Sequence, residues 1–333
     1  MKKGIAVAGN MIVDTIYPVD HYPQIGELAT IEDNIKKATG GAVCNVIVDL
    51  AKLDATIPLT ALGVIGADEA GRFIEAYLSD YPNIDCSQIV REGTTSFTAV
   101  MSDNSTKQRT FFHFRGANAR FSEEHLNWDR LNVDLLHVGY ILLLDELDRP
   151  DSEYGTKMAR MLASAQRKGI RTSVDMVSDR EDRFKKIAPP ALKYTDYCII
   201  NEIEAERTTG IVIRNKDGID EAKLDLALTA IKEMGVAEWV VVHAPEGGYG
   251  LNCVSGERAK VKSLKLPDGY IKGTNGAGDA FCAGVLYGAY QEKPLAEAIE
   301  IGIACASCSL SEPGATEGMR SYDQVLKLYQ AMK

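Results

Sequence analysis

The sequence predicts an α/β fold, with a mostly parallel central sheet flanked by helices and a small β-sheet lid. Short apolar runs suited to buried strands recur at 5–8, 57–65, 135–138, 172–175, 197–200 and 239–242. Apolar residues at helical spacing fill several of the intervals, at 43–53, 70–78, 156–168 and 224–234. Continuous apolar strands are covered on both faces, and alternation with helices makes neighbouring strands parallel. The alternation then fails in two places. Segments 11–34 and 91–114 contain no convincing helix, and 96–101 with 110–114 read as the two strands of a hairpin. The lid is therefore placed at 12–34 and 91–114, and the large α/β domain at 1–11, 35–90 and 115–333. Such a flap can close over a ligand. Its open strand edges would pair readily with a second copy, which makes a homodimer through the lid a candidate assembly.

Composition bounds the function. The 333 residues are 45% hydrophobic and 25% charged, which suits a globular chain with a full core rather than disorder. With 47 acidic against 37 basic side chains the net charge is -10, which disfavours nucleic acid or an anionic membrane as partner. Any phosphate binding must be local. The apolar run after Lys2 and Lys3 stops at Asn10, short of a signal-peptide core, and no segment approaches membrane-spanning length. Seven scattered cysteines, an odd number, suit reduced core thiols. The expected compartment is the cytoplasm. Cys305 and Cys308 have metal or redox spacing, but they sit in an apolar helical pattern without a second pair and read as core residues.

The most informative segment runs Gly273-Thr274-Asn275-Gly276-Ala277-Gly278-Asp279 and opens an apolar helix. Glycines before a helix let its free first-turn N–H groups approach an anion, with the positive end of the dipole behind them. Asp279 lies beside that end, which favours its ionised form, and it can take a proton from a hydroxyl attacking a phosphorus held by the amides. Taken alone, the same residues read first as a tight turn with a capping aspartate. Trp239, Phe111 and Phe112 lie in strand patterns and are expected to serve packing. No Walker-type Gly-x-x-x-x-Gly-Lys is present, and the first strand lacks the glycine turn of a dinucleotide-binding dehydrogenase.

The segment from Gly273 to Asp279, followed by Ala280-Phe281, resembles the C-terminal signature of the ribokinase-like (PfkB) carbohydrate kinases. Four further stretches in the expected order are similar to that family: Gly9-Asn10-Met11-Ile12-Val13-Asp14, Gly40-Gly41-Ala42-Val43-Cys44-Asn45, Gly63-Val64-Ile65-Gly66-Ala67-Asp68 and Asn201-Glu202-Ile203-Glu204. The resemblance implies a ribokinase-like fold in which the large domain binds nucleotide and substrate. It implies ATP and Mg2+ as cofactors, with a small sugar as the acceptor. In the reaction it would make Asp279 the base, with the amides around Gly276, Ala277 and Gly278 stabilising charge. Asp14, Gly41 and Asn45 would bind the sugar, while Asn201, Gly248 and Thr274 would face the nucleotide. Glu204 would hold water of the magnesium shell.

The match departs at three points. After the strand at 239–242 the chain reads His243-Ala244-Pro245-Glu246-Gly247-Gly248, keeping only the last glycine of the usual turn. Ala42 stands where ribokinases proper resemble one another in carrying a lysine. Gly273 replaces the aspartate that helps hold a monovalent cation in many relatives, so weak or absent potassium activation is expected. An unphosphorylated fructose-, ribose- or 2-keto-3-deoxygluconate-like sugar leads as acceptor. A nucleoside is the alternative, as is a non-catalytic sugar sensor, although a pure binder has no need of a base. Arg109 and Arg115 border the flap and read as solvated or as contacts to a charged substrate group.

Overall fold

Apolar strands separated by helices have one ready packing, a parallel sheet between two helical layers. The computed structural model, which describes residues 2–106, 108–178, 183–216 and 218–333, has that arrangement. Its strands are β1 (Ile5–Gly9), β2 (Ile12–Val19), β3 (Lys36–Gly40), β4 (Leu59–Ile65), β5 (Ile84–Asp85), β6 (Ile89–Arg91), β7 (Ser96–Asp103), β8 (Arg109–Phe114), β9 (Leu135–Ile141), β10 (Pro150–Asp151), β11 (Gly155–Thr156), β12 (Arg171–Met176), β13 (Tyr197–Asn201), β14 (Arg214–Asn215), β15 (Gly218–Ile219), β16 (Trp239–Ala244), β17 (Gly247–Asn252) and β18 (Arg258–Lys262). The helices are α1 (Gly41–Leu53), α2 (Glu69–Ser79), α3 (Lys157–Arg167), α4 (Phe184–Leu192), α5 (Glu202–Thr209), α6 (Glu221–Glu233), α7 (Ala277–Tyr290), α8 (Leu295–Ser309) and α9 (Tyr322–Met332).

The central sheet runs β18-β17-β16-β13-β12-β9-β1-β4-β5, with β6 also paired to β4. From β16 to β5 the pairs are parallel, while β17 and β18 extend one edge as antiparallel strands. One face is covered by α1, α2, α7, α8 and α9, the other by α3 to α6. The strand β17 escapes a sequence reading because Gly247, Gly248 and Gly250 break its apolar run. Packing explains two of them. A Cβ on Gly248 would lie 2.5 Å from Ile299, and one on Gly250 would lie 2.7 Å from the same side chain, so α8 presses directly on the strand. Among the described residues no helix is long and apolar enough to cross a membrane.

A second sheet, β3-β2-β7-β8, projects from the first, with β2 and β7 parallel and the hairpin β7–β8 antiparallel as expected. It also takes in Lys36–Gly40, beyond the 12–34 segment. Its root is tied down by side chains. Asn118 accepts from Met11 N and donates to Met11 O, while Asp68 accepts from both the amide and the hydroxyl of Thr95. Phe111 and Phe112 do not serve packing as the sequence suggested, being 61% and 52% exposed. They lie on β8, an edge strand of this sheet whose residues are mostly exposed, so their apolar surface stays open.

The helices α7 and α8 meet where Gly284 faces Gly302, and a Cβ on Gly284 would lie 2.7 Å from the Gly302 Cα. Backbone cannot yield as a side chain can. Gly284→Val is therefore expected to cost about 1–3 kcal/mol, read as a lower denaturant midpoint with an unchanged m-value; an unaltered midpoint would show that the helices separate freely.

Candidate active site

In open α/β sheets, ligands bind beyond the carboxyl ends of the strands. At that edge β9, β12 and β13 end beside the N-termini of α5 and α7, around a cavity of about 340 Å3. Tyr140, Asp175, Asn201, Glu204, Gly278 and Asp279 line it. A larger hollow of about 950 Å3 lies near Glu92, Arg120 and Glu146. Its charged walls are already joined as rim ion pairs, such as Arg120 with Glu92 at 3.1 Å, so the smaller cavity is the chemically poised one.

Gly276 caps α7 with φ 72°, and a Cβ there would meet the Ala315 carbonyl at 2.4 Å, so the tight turn requires glycine. Asp279 follows in the first turn and is buried. The Tyr140 hydroxyl donates to its Oδ1 at 2.6 Å and the Asn45 amide to its Oδ2 at 2.8 Å. Burial pushes its carboxyl above the usual range, the Tyr140 and Asn45 donors opposing it. Desolvation thus outweighs the stabilisation of the anion expected from the helix end.

Asn201 and Glu204 close a capping box at the start of α5. Glu204 Oε2 accepts from Asn201 N at 3.0 Å, and its Oε1 from Asn201 Nδ2 at 2.8 Å and Ser178 Oγ at 3.0 Å. Burial raises the Glu204 carboxyl to about 8, and Asp175 adds to the rise. Asp175 is itself buried and held well above the carboxylate range by burial and by Asp279, while its Oδ1 has no hydrogen-bond partner. Buried carboxylates around one cavity, one with an unsatisfied oxygen, offer the hard donors that a magnesium ion takes. Glu204 and Asp175 fit that ion.

The other sequence candidates divide. Asn45 reaches the cavity wall through Asp279, and its buried Oδ1 lacks a partner. Gly41 has φ +86°, and a Cβ there would lie 2.5 Å from Asn10 O. Asp14, on β2 of the projecting sheet, is half-buried, its carboxyl raised by burial, and a Cβ on Gly40 would come within 2.6 Å of its Oδ2. Ala277 sits in the first turn of α7 between Gly276 and Gly278. Thr274 is exposed in the preceding loop and Gly248 lies within β17; neither lines the cavity. The 243–248 turn is a hairpin whose His243 ring packs 4.9 Å from Phe281 and faces Gly278. Arg115 pairs with Asp145 at 3.3 Å.

Tyr140, Asp175 and Ser178 are site residues the sequence reading passed over. Position was the available signal for the first two, which lie near the carboxyl ends of β9 and β12.

A carboxyl raised on folding binds protons more tightly in the native state, so stability falls as pH rises between its ordinary value, 4.5 for Glu204, and about 8. Glu204→Gln is expected to flatten that fall, measured as the denaturant midpoint from pH 5 to pH 8 without divalent cations; equal slopes in both proteins would overturn the assignment.

Comparison with known proteins places the chain in a family. The chain is 26% identical over 328 residues to a probable fructokinase-7 of Arabidopsis thaliana, covering 95% of this chain and 91% of that protein. It is 24% identical over 324 residues to a nucleoside kinase of Methanocaldococcus jannaschii, covering 97% and 95%. The solved structure of Arabidopsis thaliana ribokinase complexed with ribose and ATP superposes with a TM-score of 0.80 at 22% identity, over 99% of each chain, and shares the fold. The family model for pfkB family carbohydrate kinase matches residues 2–321. The chain belongs to the pfkB family of carbohydrate kinases, phosphotransferases that use an alcohol group as acceptor.

Proposed function

We propose that the protein transfers the γ-phosphoryl group of Mg-ATP to a hydroxyl of a small unphosphorylated sugar of the fructose, ribose or 2-keto-3-deoxygluconate class. The observation that carries this reading is Asp279, buried against the cavity in the first turn of α7 and held by Tyr140 and Asn45. A carboxylate has about four acceptor positions, so both oxygens keep room for a substrate hydroxyl. Its raised affinity for protons suits a base working near neutral pH. In-line attack then needs little covalent chemistry from the protein, only positioning and charge stabilisation. First-turn amides at Gly278 and Asp279 have no partner within the helix and face the developing charge.

Asp14, Gly41 and Asn45 are the assigned sugar-binding positions, and the unsatisfied Asn45 Oδ1 is an acceptor that a sugar hydroxyl would fill. Asn201, Gly248 and Thr274 are assigned to the nucleotide. Glu204, with Asp175, is assigned to magnesium, which when bound offsets charge on the phosphates. An uncharged acceptor is favoured because, among the described residues, the cavity carries three carboxylates and no lysine or arginine. Residues 12–34 and 91–114 act as the lid that excludes water. Its open edges and exposed phenylalanines support pairing with a second copy of the chain. A nucleoside acceptor is the second reading, since Asn275 precedes the turn and one relative is a nucleoside kinase. Seven free cysteines support a cytoplasmic site of action.

An ADP-release assay over sugars, sugar acids, sugar phosphates and nucleosides ranks the acceptors. With the best of them, Asp279→Asn is expected to lose about 100- to 10,000-fold in kcat while binding sugar and ATP nearly normally. A loss below about tenfold would remove Asp279 from the role of base.

Potassium is assigned at most a weak effect. A Cβ on Gly273 would lie 2.8 Å from Pro313 Cα and 2.9 Å from its carbonyl oxygen, so packing already holds this end of the turn and leaves no space for a ligating side chain. Turnover in potassium chloride should match that in choline chloride at equal ionic strength; strong, saturable potassium activation would overturn this.

A further inference from the structure

Behind the catalytic carboxylate lies a cluster that the phosphoryl-transfer reading does not use. His137 on β9, Asp175 on β12 and Cys282 on α7 bring a nitrogen, an oxygen and a sulfur within 4.8 Å of one another. His137 Nε2 is 3.7 Å from Asp175 Oδ2 and 3.8 Å from Cys282 Sγ. Ser173 Oγ engages the other ring nitrogen, Nδ1, at 3.1 Å, so Nε2 is the nitrogen left facing the cluster. All three side chains are buried, yet Asp175 and Cys282 also line the cavity, which gives an ion access from the active site.

We propose that His137, Asp175 and Cys282 form a binding site for a zinc-class divalent cation, with its fourth position open to the active-site cavity. Around a tetrahedral zinc ion, donors of these kinds stand roughly 3.3–3.6 Å apart. The two measured separations from Nε2 need to close by only a few tenths of an ångström. One imidazole, one thiolate and one carboxylate suit zinc, whereas magnesium prefers oxygen alone. The ion displaces to solvent the Cys282 thiol proton and any proton on the Asp175 carboxyl, and the resulting thiolate and carboxylate together balance its two charges in a buried place. Ser173 orients the imidazole from behind, as outer hydrogen-bond partners of metal-bound histidine do. A bound ion would sit one helical turn from Asp279 and draw on a carboxylate that magnesium also uses, so zinc should inhibit the kinase.

The test is titration of the full-length, reduced protein with cobalt(II) and with zinc in excess magnesium. Expected are one ion per chain, a thiolate-to-cobalt charge-transfer band in the near ultraviolet, and a higher melting temperature with zinc. Cys282→Ala should abolish the band. Ser173→Ala, which keeps all three ligands, should weaken binding about 10- to 100-fold, and His137→Gln gives a second ligand variant if Cys282→Ala folds poorly. The proposal is overturned if no thiolate band forms, if the band survives Cys282→Ala, which would place the ion on other cysteines, or if excess magnesium displaces the ion completely.

Discussion

An ionised carboxylate taken out of water must find donors or a cation, and the active-site end of this molecule is organised by that requirement. Asp279 is buried at the start of α7 with a donor on each oxygen, Tyr140 from β9 and Asn45 from α1. Those two bonds join the helical layer on one face of the sheet to the strand end at its centre. Asp175 and Glu204 add further buried acid around the same cavity, and burial, with the Asp279 charge, raises the Asp175 carboxyl well above its ordinary range. In the absence of a cation the cluster therefore carries more protons than exposed carboxylates would. A divalent ion bound there would reverse that balance and tie metal binding, proton uptake and stability together in one set of residues.

The scaffold fixes these groups by close backbone approach. The glycine pair Gly284 and Gly302 lets α7 lie directly on α8, while Gly248 and Gly250 let α8 lie on β17. Gly276 and Gly273 bring the turn before α7 against Ala315 and Pro313. Each contact removes a degree of freedom from the helix whose first turn carries Asp279. Precision of this kind is worth having where reacting atoms must meet at hydrogen-bond distance. The projecting sheet is built otherwise, with exposed aromatic side chains and a root held by Asn118, Asp68 and Thr95.

Asp175 has two faces in this arrangement. It lines the cavity with Glu204, where oxygen donors suit magnesium, and its Oδ2 turns toward His137 and Cys282, where nitrogen and sulfur suit a softer ion. Occupation of one site changes the charge available to the other. Cellular zinc would then compete with the reaction through a shared carboxylate rather than at the sugar or nucleotide positions.

Local order was legible in the sequence. Apolar runs gave the parallel strands β1, β4, β9, β12, β13 and β16, since strands covered on both faces leave an unbroken signature, and the glycine turn, with the resemblance around it, pointed to Asp279 because free amides before a helix can hold an anion. The break in alternation located the projecting sheet, though not its strand at Lys36–Gly40, which is short and begins with lysines. Tertiary structure decided what depends on neighbours distant in the chain. That Tyr140 donates to Asp279 from 139 residues away, and that Ser173, Asp175, His137 and Cys282 meet, leaves no mark at any fixed spacing. The proton affinity of Asp279 was likewise beyond reach, because the helix end is visible in sequence while the desolvation that overrides it exists only once the sheet, α1 and α7 have closed around the carboxylate.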